Sequence, residues 1–502
     1  MIGRVAAFGI LAVTLQTATV AAAPIAASAA RTDAALAGIR HDMEQWRLDA
    51  HVPGLVYGVV LDGRVVALEA LGVENVTEKA AATPDSRFRI ASMTKAFTAL
   101  AILKLRDAGK LSLDAPAATY VPELKNWQRP TGDSRPIRVR DLLHHSAGFV
   151  TDDPWGDRQQ PMPEADFTAL LKDGVPFARA TGTAMEYSNL GYAILGRIIS
   201  NVSGQRYQDF IRVTILAPLG MTATGHDIAA FPATRRALGY RWQDGRWVRE
   251  PDMADGAFGA MGGIETTARD YARWVAFVLS AWPPRNEQDD GPVARATVRE
   301  IAEGSNFVHT VPRAAGAPCR VARAYGMGWR MLDDCDLGFV LTHGGGFPGY
   351  GSNVVLVPDR GLGVFVLTNR TYAAAGGPAM AAALALRAAG VLPVRPVARS
   401  PRVTAGYELV RRIWSNGSVV GSEAGLAPNV LLDRDAAHWS QMLAALKAEV
   451  GTCPAAEPVE PISALQARFT WTCDHGRISG TLLLAPTIGA RLQALDFARI
   501  MP

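Results

Sequence analysis

Ser92 and Lys95 are the first residues in the chain whose types and spacing could perform covalent chemistry. They open a segment with apolar residues at helical intervals, so both side chains would lie on one helix face. A desolvated lysine can accept a proton from a serine hydroxyl, whereas arginine stays charged. Lys95 is the only lysine with a serine three positions earlier. The pair predicts an activated serine nucleophile, although an exposed lysine near a helix N-cap serine would have the same spacing.

A second motif, Glu186-Tyr187-Ser188-Asn189, precedes another predicted helix. Tyr187 is the only tyrosine that has an asparagine two positions later. A nearby ammonium group would lower the pKa of a phenol from its usual value of about 10, which favours a role in proton transfer. A core tyrosine followed by an N-cap asparagine would explain the same residues.

A third motif, His343-Gly344-Gly345-Gly346, ends a predicted strand. Glycines in a strand allow another backbone to approach closely, and a backbone N–H at this point could stabilise an oxyanion. The glycine spacing also matches a nucleotide-binding pattern, but a predicted strand follows it and not a helix, which argues against that function. A strand-end histidine without a ligand is the alternative for His343.

In this order, the three motifs resemble the Ser-x-x-Lys, Tyr-x-Asn and Lys-Thr-Gly motifs of the serine β-lactamase and penicillin-binding superfamily. The branch that they resemble is the class C β-lactamase-like one, which also contains esterases, D-aminopeptidases and DD-peptidases. The resemblance covers about residues 36–390. Residues 88–91, 141–148 and 262–267 also resemble segments of the family.

The resemblance implies a role for each matching residue. Ser92 would be acylated, and Tyr187 would take the Ser92 proton while Lys95 holds the phenol ionised. Asn189 would contact the substrate or Lys95. The N–H groups of Ser92 and Gly346 would form the oxyanion hole. The family needs no metal or organic cofactor.

His343, Gly344 and Gly345 take the place of the family's Lys-Thr-Gly and are predicted to contact the substrate. A neutral imidazole binds a carboxylate less well than an ammonium group, and glycine offers no hydroxyl. We therefore expect a serine hydrolase that cleaves an ester or a D-amino-acid amide or peptide through an acyl-enzyme. The alternatives are a class C-like β-lactamase and a non-catalytic penicillin-binding sensor.

The pattern of strands and helices indicates how these motifs are positioned. A β-hairpin is predicted at 54–72 and two strands at 353–367, with mainly helices between them, including one at 189–202. We expect one antiparallel sheet flanked by helices, with an inserted helical subdomain, in an α/β (α+β) fold. The resemblance implies the same β-lactamase/transpeptidase-like architecture for 36–390.

The remainder of the chain is divided by prolines and by an apolar N-terminus. Three prolines mark 391–403 as a linker, and 404–502 has the helices and strands of a small α+β domain. Residues 1–30 have the charge, apolar stretch and small residues of a cleavable signal peptide, which predicts a periplasmic or secreted protein. An uncleaved anchor is the alternative, but its apolar stretch is too short for a stable membrane span.

The cysteines and the charge balance limit the class of partner. Export permits disulfides, and the four cysteines form two local pairs, Cys319 with Cys335 and Cys453 with Cys473, although three connectivities exist. The net charge of +4 and the absence of a basic run argue against nucleic acid as a partner. The expected partner is a small-molecule ester, peptide or β-lactam. The oligomeric state stays open.

Overall fold

The computed structural model describes residues 22–232, 235–304, 306–313, 318–395, 397–454 and 459–500. Residues 1–21 of the predicted signal peptide lie outside these ranges. The helices are α1 Ala22–Asp49, α2 Lys95–Asp107, α3 Val139–Leu143, α4 Asp153–Arg158, α5 Glu164–Asp173, α6 Asn189–Ser203, α7 Tyr207–Ile211, α8 Gly259–Gly262, α9 Ala268–Leu279, α10 Arg295–Glu300, α11 Gly376–Ala388, α12 Pro401–Asn416, α13 Pro428–Asp433 and α14 Ala436–Val450.

The strands alternate with the helices in two groups. They are β1 Gly54–Leu61, β2 Arg64–Asn75, β3 Ala80–Ala81, β4 Arg87–Arg89, β5 Tyr240–Gln243, β6 Arg246–Arg249, β7 Glu265–Thr267, β8 Asn306–Pro312, β9 Arg320–Tyr325, β10 Arg330–Asp334, β11 Gly338–Phe347, β12 Tyr350–Val357, β13 Leu362–Thr368, β14 Glu460–Pro461, β15 Gln466–Cys473, β16 Gly476–Leu484 and β17 Leu492–Ile500.

An antiparallel sheet joins the two ends of the first 390 residues, as the sequence predicted. In the described chain it has nine strands in the order β3-β2-β1-β13-β12-β11-β10-β9-β8. Asp62 and Gly63 both have positive φ, which is the backbone of the two-residue turn that joins β1 to β2. β1 from one end of the segment pairs directly with β13 from the other, with Leu55 opposite Thr368.

Helices cover both faces of this sheet and bury two apolar layers. One layer includes α2, α6 and α9, with Phe97 and Trp274 stacked at 3.8 Å. The other layer lies under α1 and α11. The helical segment between β2 and β8 therefore packs on one face, and it carries both the Ser92 and the Tyr187 motifs. None of the described helices is long and apolar enough to cross a membrane.

Strands β8, β9 and β10 extend the sheet where the sequence pattern did not predict strands. β8 is the outer strand, and most of its side chains are exposed. β9 carries two arginines, Arg320 at its start and Arg323 within it. An outer strand is stable without strict alternation of apolar residues because one edge faces water, so its sequence pattern is weak. Cys319 and Cys335 lie at bonding distance and join the ends of β9 and β10.

The second unit begins at a proline that the sequence pattern assigned to the linker. Pro401 is the first residue of α12, and the Ser400 hydroxyl accepts a hydrogen bond from Val403 N at 3.0 Å. Proline fits the first turn of a helix because the N–H groups of that turn have no partner within the helix, so proline costs no hydrogen bond there. Val391 and Leu392 are already buried against the first unit. The connecting segment is therefore shorter than the predicted 391–403.

Three helices pack on a separate four-stranded sheet, β14-β15-β16-β17, after Pro401. Its core contains Trp471, whose indole N–H donates to the Tyr407 hydroxyl at 2.7 Å. Cys453 and Cys473 lie at bonding distance across 20 residues of chain. The unit has an apolar cluster of its own, which is what an independent domain requires.

Candidate active site

Ser92 lies in a tight turn at the start of α2 and faces a cavity of about 550 Å³. Ala91, just before it, has a φ of +47°, a backbone conformation that residues other than glycine rarely adopt. This turn directs the chain so that Ser92 stays partly accessible while Met93 is buried. The remaining residues lining the cavity are Asp153, Asp157, Tyr187, Arg330, Thr342, Gly344, Gly345, Gly346, Ser352, Asn353, Tyr372, Ala373, Ala374, Ala375 and Gly376.

Lys95 is completely buried one helical turn after Ser92. Its ammonium group donates to Ser92 Oγ at 3.2 Å, to Asn189 Oδ1 at 2.7 Å and to the Met261 carbonyl oxygen at 2.9 Å. Burial is the largest influence on this group and lowers the pKa of Lys95 to about 8, against the opposing effect of nearby carboxylates. Lys95 is therefore close to losing its proton at neutral pH, beside the hydroxyl that it could activate.

Asn189 reaches Lys95 because the N-terminus of α6 is held firmly. The Asp152 carboxylate accepts from Asn189 N at 2.6 Å and from Leu190 N at 2.9 Å. The Ser188 hydroxyl accepts from Gly191 N at 3.1 Å, so Ser188 is the N-cap and Asn189 the first helical residue. Asn189 is therefore not the N-cap of the alternative interpretation, and its side chain contacts Lys95.

Tyr187 lies over the same centre, where burial opposes ionisation of its phenol. The Lys95 nitrogen is 4.9 Å from the centroid of the Tyr187 ring, and the His145 ring lies 4.3 Å from it. Burial raises the pKa of Tyr187 well above its usual value, which outweighs a hydrogen bond with Ser92 that lowers it. Desolvation at this position opposes the expectation that Lys95 holds this phenol ionised, which stays a prediction.

Strand β11 packs against the nucleophile turn at a glycine. A Cβ added to Gly345 would lie 2.2 Å from the Ile90 carbonyl oxygen, so only glycine permits this approach. The Ser352 hydroxyl on β12 donates to the same oxygen at 2.8 Å. Gly346 follows directly, on the strand that touches the Ser92 turn. This arrangement brings two predicted oxyanion donors, the N–H groups of Ser92 and Gly346, into one region.

One edge of β11 is open beside the cavity. The pairing of β10 with β11 ends at Arg330 opposite Thr342. Beyond that point, among the described strands, β11 pairs only with β12, through Gly344 opposite Asn353 and on to the end of the strand. An extended substrate segment could therefore pair with this edge in the place that a longer β10 would take.

His343 does not line this cavity. Its Nδ1–H donates to the Gly344 carbonyl oxygen at 2.7 Å, and its Nε2 accepts from the Tyr325 hydroxyl at 3.0 Å. The imidazole is buried, with its centroid 6.2 Å from that of Tyr187. The predicted substrate contacts of β11 thus divide: Gly344 and Gly345 line the cavity, whereas His343 lies beneath it.

Three charged residues at the cavity were not predicted from the sequence. Arg330 is exposed there and makes no hydrogen bond or ion pair with another described residue. Asp153 and Asp157 lie on α4, and burial raises the pKa of Asp157 to about 7. The hydroxyl of Tyr372 donates to Asp157 at 3.0 Å. A single charged residue in a loop or a short element belongs to no spacing pattern in the sequence. Its place at the cavity is therefore known only from the three-dimensional structure.

A buried ion network connects two of the supporting segments that the sequence singled out. Glu265 on β7 lies 3.4 Å from Arg87 and 3.4 Å from Arg89, both on β4, and 3.3 Å from Arg236. β4 leads directly into the Ser92 turn. The network therefore fixes the entry to the nucleophile, and one carboxylate compensates several buried guanidinium groups.

Taken together, these groups form the parts needed for acyl transfer. A hydroxyl, a buried amine beside it and backbone N–H groups on an adjoining strand are the usual nucleophile, base and oxyanion donors of that chemistry. The described residues contain no cluster of three His, Cys, Asp or Glu side chains able to hold a metal ion.

Comparison with known proteins gives consistent results. Protein flp of Staphylococcus aureus is 30% identical over 338 residues, which are 66% of this chain and 61% of that protein, so the match spans about three fifths of the relative. Penicillin-binding protein 4 of Amycolatopsis lactamdurans is 29% identical over 328 residues, 64% of this chain and 82% of its own.

A solved structure has the same fold. The octameric penicillin-binding protein homologue from Pyrococcus abyssi aligns with a TM-score of 0.60 and 22% identity, covering 90% of this chain and 96% of that one. The model of the Beta-lactamase family matches residues 33–389, which carry all three motifs and the sheet that supports them. This chain therefore belongs to the β-lactamase family.

Proposed function

We propose that the protein is a serine hydrolase that forms an acyl-enzyme on Ser92. The observation that carries the proposal is the contact of 3.2 Å between the Lys95 amine and the Ser92 hydroxyl, with burial lowering the pKa of Lys95 to about 8. A lysine that loses its proton near neutral pH can serve as the base for the neighbouring hydroxyl.

In the proposed reaction, Ser92 Oγ attacks the carbonyl carbon while its proton passes to the Lys95 amine, directly or through the Tyr187 hydroxyl. The N–H groups of Ser92 and Gly346 bind the developing oxyanion. The bond to the leaving oxygen or nitrogen then breaks, and the leaving group takes up the proton. Attack by water on the ester of Ser92 releases the acid and restores the free hydroxyl.

The proposed substrate is an ester or a D-amino-acid amide or peptide. The open edge of β11 supports an extended substrate, since Gly344 and Gly346 on it lie along the cavity. Arg330 at the end of this edge lies 5.6 Å from the centroid of the Tyr187 ring and makes no hydrogen bond or ion pair with another described residue, so its guanidinium group suits a carboxylate or another anionic group. In this proposal His343 positions the strand, and Gly344 and Gly345 contact the substrate.

Hydrolysis of p-nitrophenyl acetate and butyrate by the purified protein tests this proposal. We expect turnover by the wild type and its loss in Ser92→Ala, with Ser112→Ala, an exposed serine on the same unit, as the matched control. Undiminished turnover in Ser92→Ala would refute the nucleophile.

A class C-like β-lactamase is the second candidate, because Arg330 and Thr342 offer a guanidinium and a hydroxyl to the carboxylate of a penicillin. The name of the Amycolatopsis relative also points to penicillin binding. Rapid turnover of nitrocefin that falls in Arg330→Ala would favour it. Failure of a fluorophosphonate and of a fluorescent penicillin to label Ser92 would favour the non-catalytic sensor.

We also propose that the protein is exported to the periplasm or secreted. The two cysteine pairs at bonding distance support this, because disulfides persist in oxidising compartments. Fractionation of cells, with N-terminal sequencing of the mature protein, tests the proposal and locates the cleavage site.

A further inference from the structure

A second cavity, of about 270 Å³, adjoins the catalytic cavity. The two cavities share four lining residues, Arg330, Thr342, Asn353 and Gly376. They are therefore two parts of one cleft, which passes from Ser92 along β11 and continues beyond Arg330. We call the second part the side compartment.

The side compartment is mainly apolar. The hydrophobic residues that line it are Met185, Val308, Ala324, Met331, Leu332, Val355 and Met380. Methionine side chains adapt their shape to irregular apolar ligands. His309 and Arg323 are exposed beside these residues, and no acidic side chain is among the described lining residues. An apolar chain with a neutral or anionic end is therefore compatible with the compartment, and a cationic end is not.

The register of β11 gives the distance from the reacting centre to this compartment. Gly344 lies opposite Asn353, and Thr342 lies opposite Val355, at the near and far sides of the entrance. With a rise of about 3.3 Å per residue, these positions are about 7 and 13 Å along the strand from Gly346. An extended chain advances about 1.2 Å per bond, so about six to eleven atoms beyond the scissile carbonyl reach the compartment.

The walls of the compartment are held in place by covalent and sheet contacts. β8, which supplies Val308, pairs with β9, and β9 pairs with β10. The cysteine pair Cys319–Cys335 joins the ends of β9 and β10. On the opposite side, Met380 lies on α11, which packs on β12 and β13. The compartment is thus formed before a substrate binds.

We propose that the substrate carries an apolar chain that extends from the scissile carbonyl, or from its leaving group, past Arg330 into the side compartment. This inference rests on the proposed serine hydrolase function and names the class of its substrate. Short esters would react at the same centre but would leave the compartment empty, because their chains end before Asn353.

Two series of esters measure this directly. One series is p-nitrophenyl esters with acyl chains of two to twelve carbons, and the other is alkyl acetates with alcohols of the same lengths. We expect KM in one series to be nearly constant up to about six carbons and then to fall about twofold or more for each added CH₂. The series that responds identifies the side of the scissile bond that carries the chain.

Substitutions on α11 provide the structural control. Met380→Trp fills the compartment and should raise KM for the ten-carbon ester by about tenfold or more, with acetate hydrolysis unchanged. Ala381→Trp adds the same side chain at the next, exposed position and should leave both substrates unaffected. Equal effects of the two variants would overturn the inference.

The outcomes separate this inference from the function on which it rests. Hydrolysis of acetate esters with no dependence on chain length in either series would overturn the side compartment alone. Failure to hydrolyse any ester, together with no labelling of Ser92, would overturn the proposed function.

Discussion

Burial determines which of the titratable groups around Ser92 can accept a proton. It lowers the pKa of Lys95 to about 8, since the ammonium group is the charged form of lysine. It raises the pKa of Tyr187 well above its usual value, since the phenolate is the charged form of tyrosine. In the proposed mechanism, the same desolvation therefore prepares Lys95 to be the base and favours Tyr187 as a neutral proton carrier.

The pH profile of ester hydrolysis should show this base. The reactive form of Lys95 is the neutral amine, which exists above its pKa, so kcat/KM should rise with pH through about 8 and then level off. Measurement of kcat/KM for p-nitrophenyl acetate from pH 6 to 10, corrected for spontaneous hydrolysis, checks the prediction.

A carboxylate near Lys95 provides the control for this profile. The Asp153 charge raises the pKa of Lys95, so Asp153→Asn should move the rise in kcat/KM to lower pH. Asp85→Asn, which removes an exposed carboxylate, should leave the profile unchanged. A profile that is flat from pH 6 to 10, or one that moves to higher pH in Asp153→Asn, would contradict the role of Lys95.

At the scale of secondary-structure elements, the site depends on how closely β11 approaches the turn that carries Ser92. A side chain at position 345 would collide with the Ile90 carbonyl oxygen and with Ser352 Oγ, each 2.2 Å from the added Cβ. Both contacts are to groups that hold the turn in place, so the strand would have to move away. A shift of about 1 Å in a catalytic group can reduce the rate about 100-fold.

Gly345→Ala should therefore reduce kcat for simple esters by about 100-fold while the protein stays folded. Gly377→Ala is the matched control, because a Cβ at this helical position meets nothing within 4 Å. Steady-state kinetics and circular dichroism of both variants check the prediction. Normal kcat in a folded Gly345→Ala variant would show that the close approach is not needed.

The contact between β4 and β7 makes a separate prediction about stability. Glu265 is 1% exposed and faces the guanidinium groups of Arg87, Arg89 and Arg236. Removal of one partner from a buried ion pair leaves uncompensated charge and costs about 3–5 kcal/mol. We expect Glu265→Ala to lower the free energy of unfolding by about that amount in denaturant titrations.

Glu287→Ala is the control for this measurement. Glu287 pairs with Arg285 at 2.7 Å but is 75% exposed, so its loss should cost about 0–1 kcal/mol. A similar cost for both variants would mean that the buried network contributes no more than a surface ion pair.

Elements with a strong local pattern could be predicted from the sequence, and elements stabilised by distant contacts could not. The β-rich strands of the first hairpin and the periodic helix after Asn189 match the structure closely. Strand β8 was missed because an outer strand tolerates polar residues, and β9 and β10 were missed because charged residues interrupt their short apolar patterns. Arg330 was missed because it reaches the cavity only through the pairing of β10 with β11, which no local pattern shows.

The motifs identified which residues meet, but not how each side chain is oriented. Ser92 and Lys95 meet as their spacing indicated, and Asn189 contacts Lys95 as the family resemblance implied. His343 illustrates the limit: its motif placed it on the right strand, yet alternation along that strand turns the ring away from the cavity. Side chains on a strand point alternately to its two faces. The three glycines after His343 have no side chains, so the sequence does not indicate which face of the strand lines the cavity.

At the scale of the whole molecule, the apolar cluster after Pro401 is separate from the two apolar layers of the first unit, so we expect the two units to unfold separately. The second unit has its own cluster around Trp471 and its own cysteine pair, Cys453 with Cys473. Arg395 hydrogen-bonds to Asp62 and to the Trp282 carbonyl oxygen of the first unit, so the division falls after it.

Trp471→Ala should therefore destabilise the second unit selectively, by about 3–5 kcal/mol. We expect calorimetry to show that the unfolding transition of the second unit moves to a lower temperature. The temperature at which esterase activity is lost should stay unchanged. A parallel decrease of the unfolding temperature and of the temperature at which activity is lost would indicate a single cooperative unit. Phe97→Ala, in the core of the first unit, should give the opposite result.

The covalent intermediate on Ser92 is the central claim, and its direct measurement is the most decisive test. Intact-mass spectrometry of the protein quenched with acid during turnover of p-nitrophenyl butyrate should show the mass of one added butyryl group, mapped by peptide analysis to Ser92. The Ser92→Ala variant should show neither the adduct nor turnover. Turnover without any adduct on Ser92, or an adduct on another residue that persists in Ser92→Ala, would contradict the account.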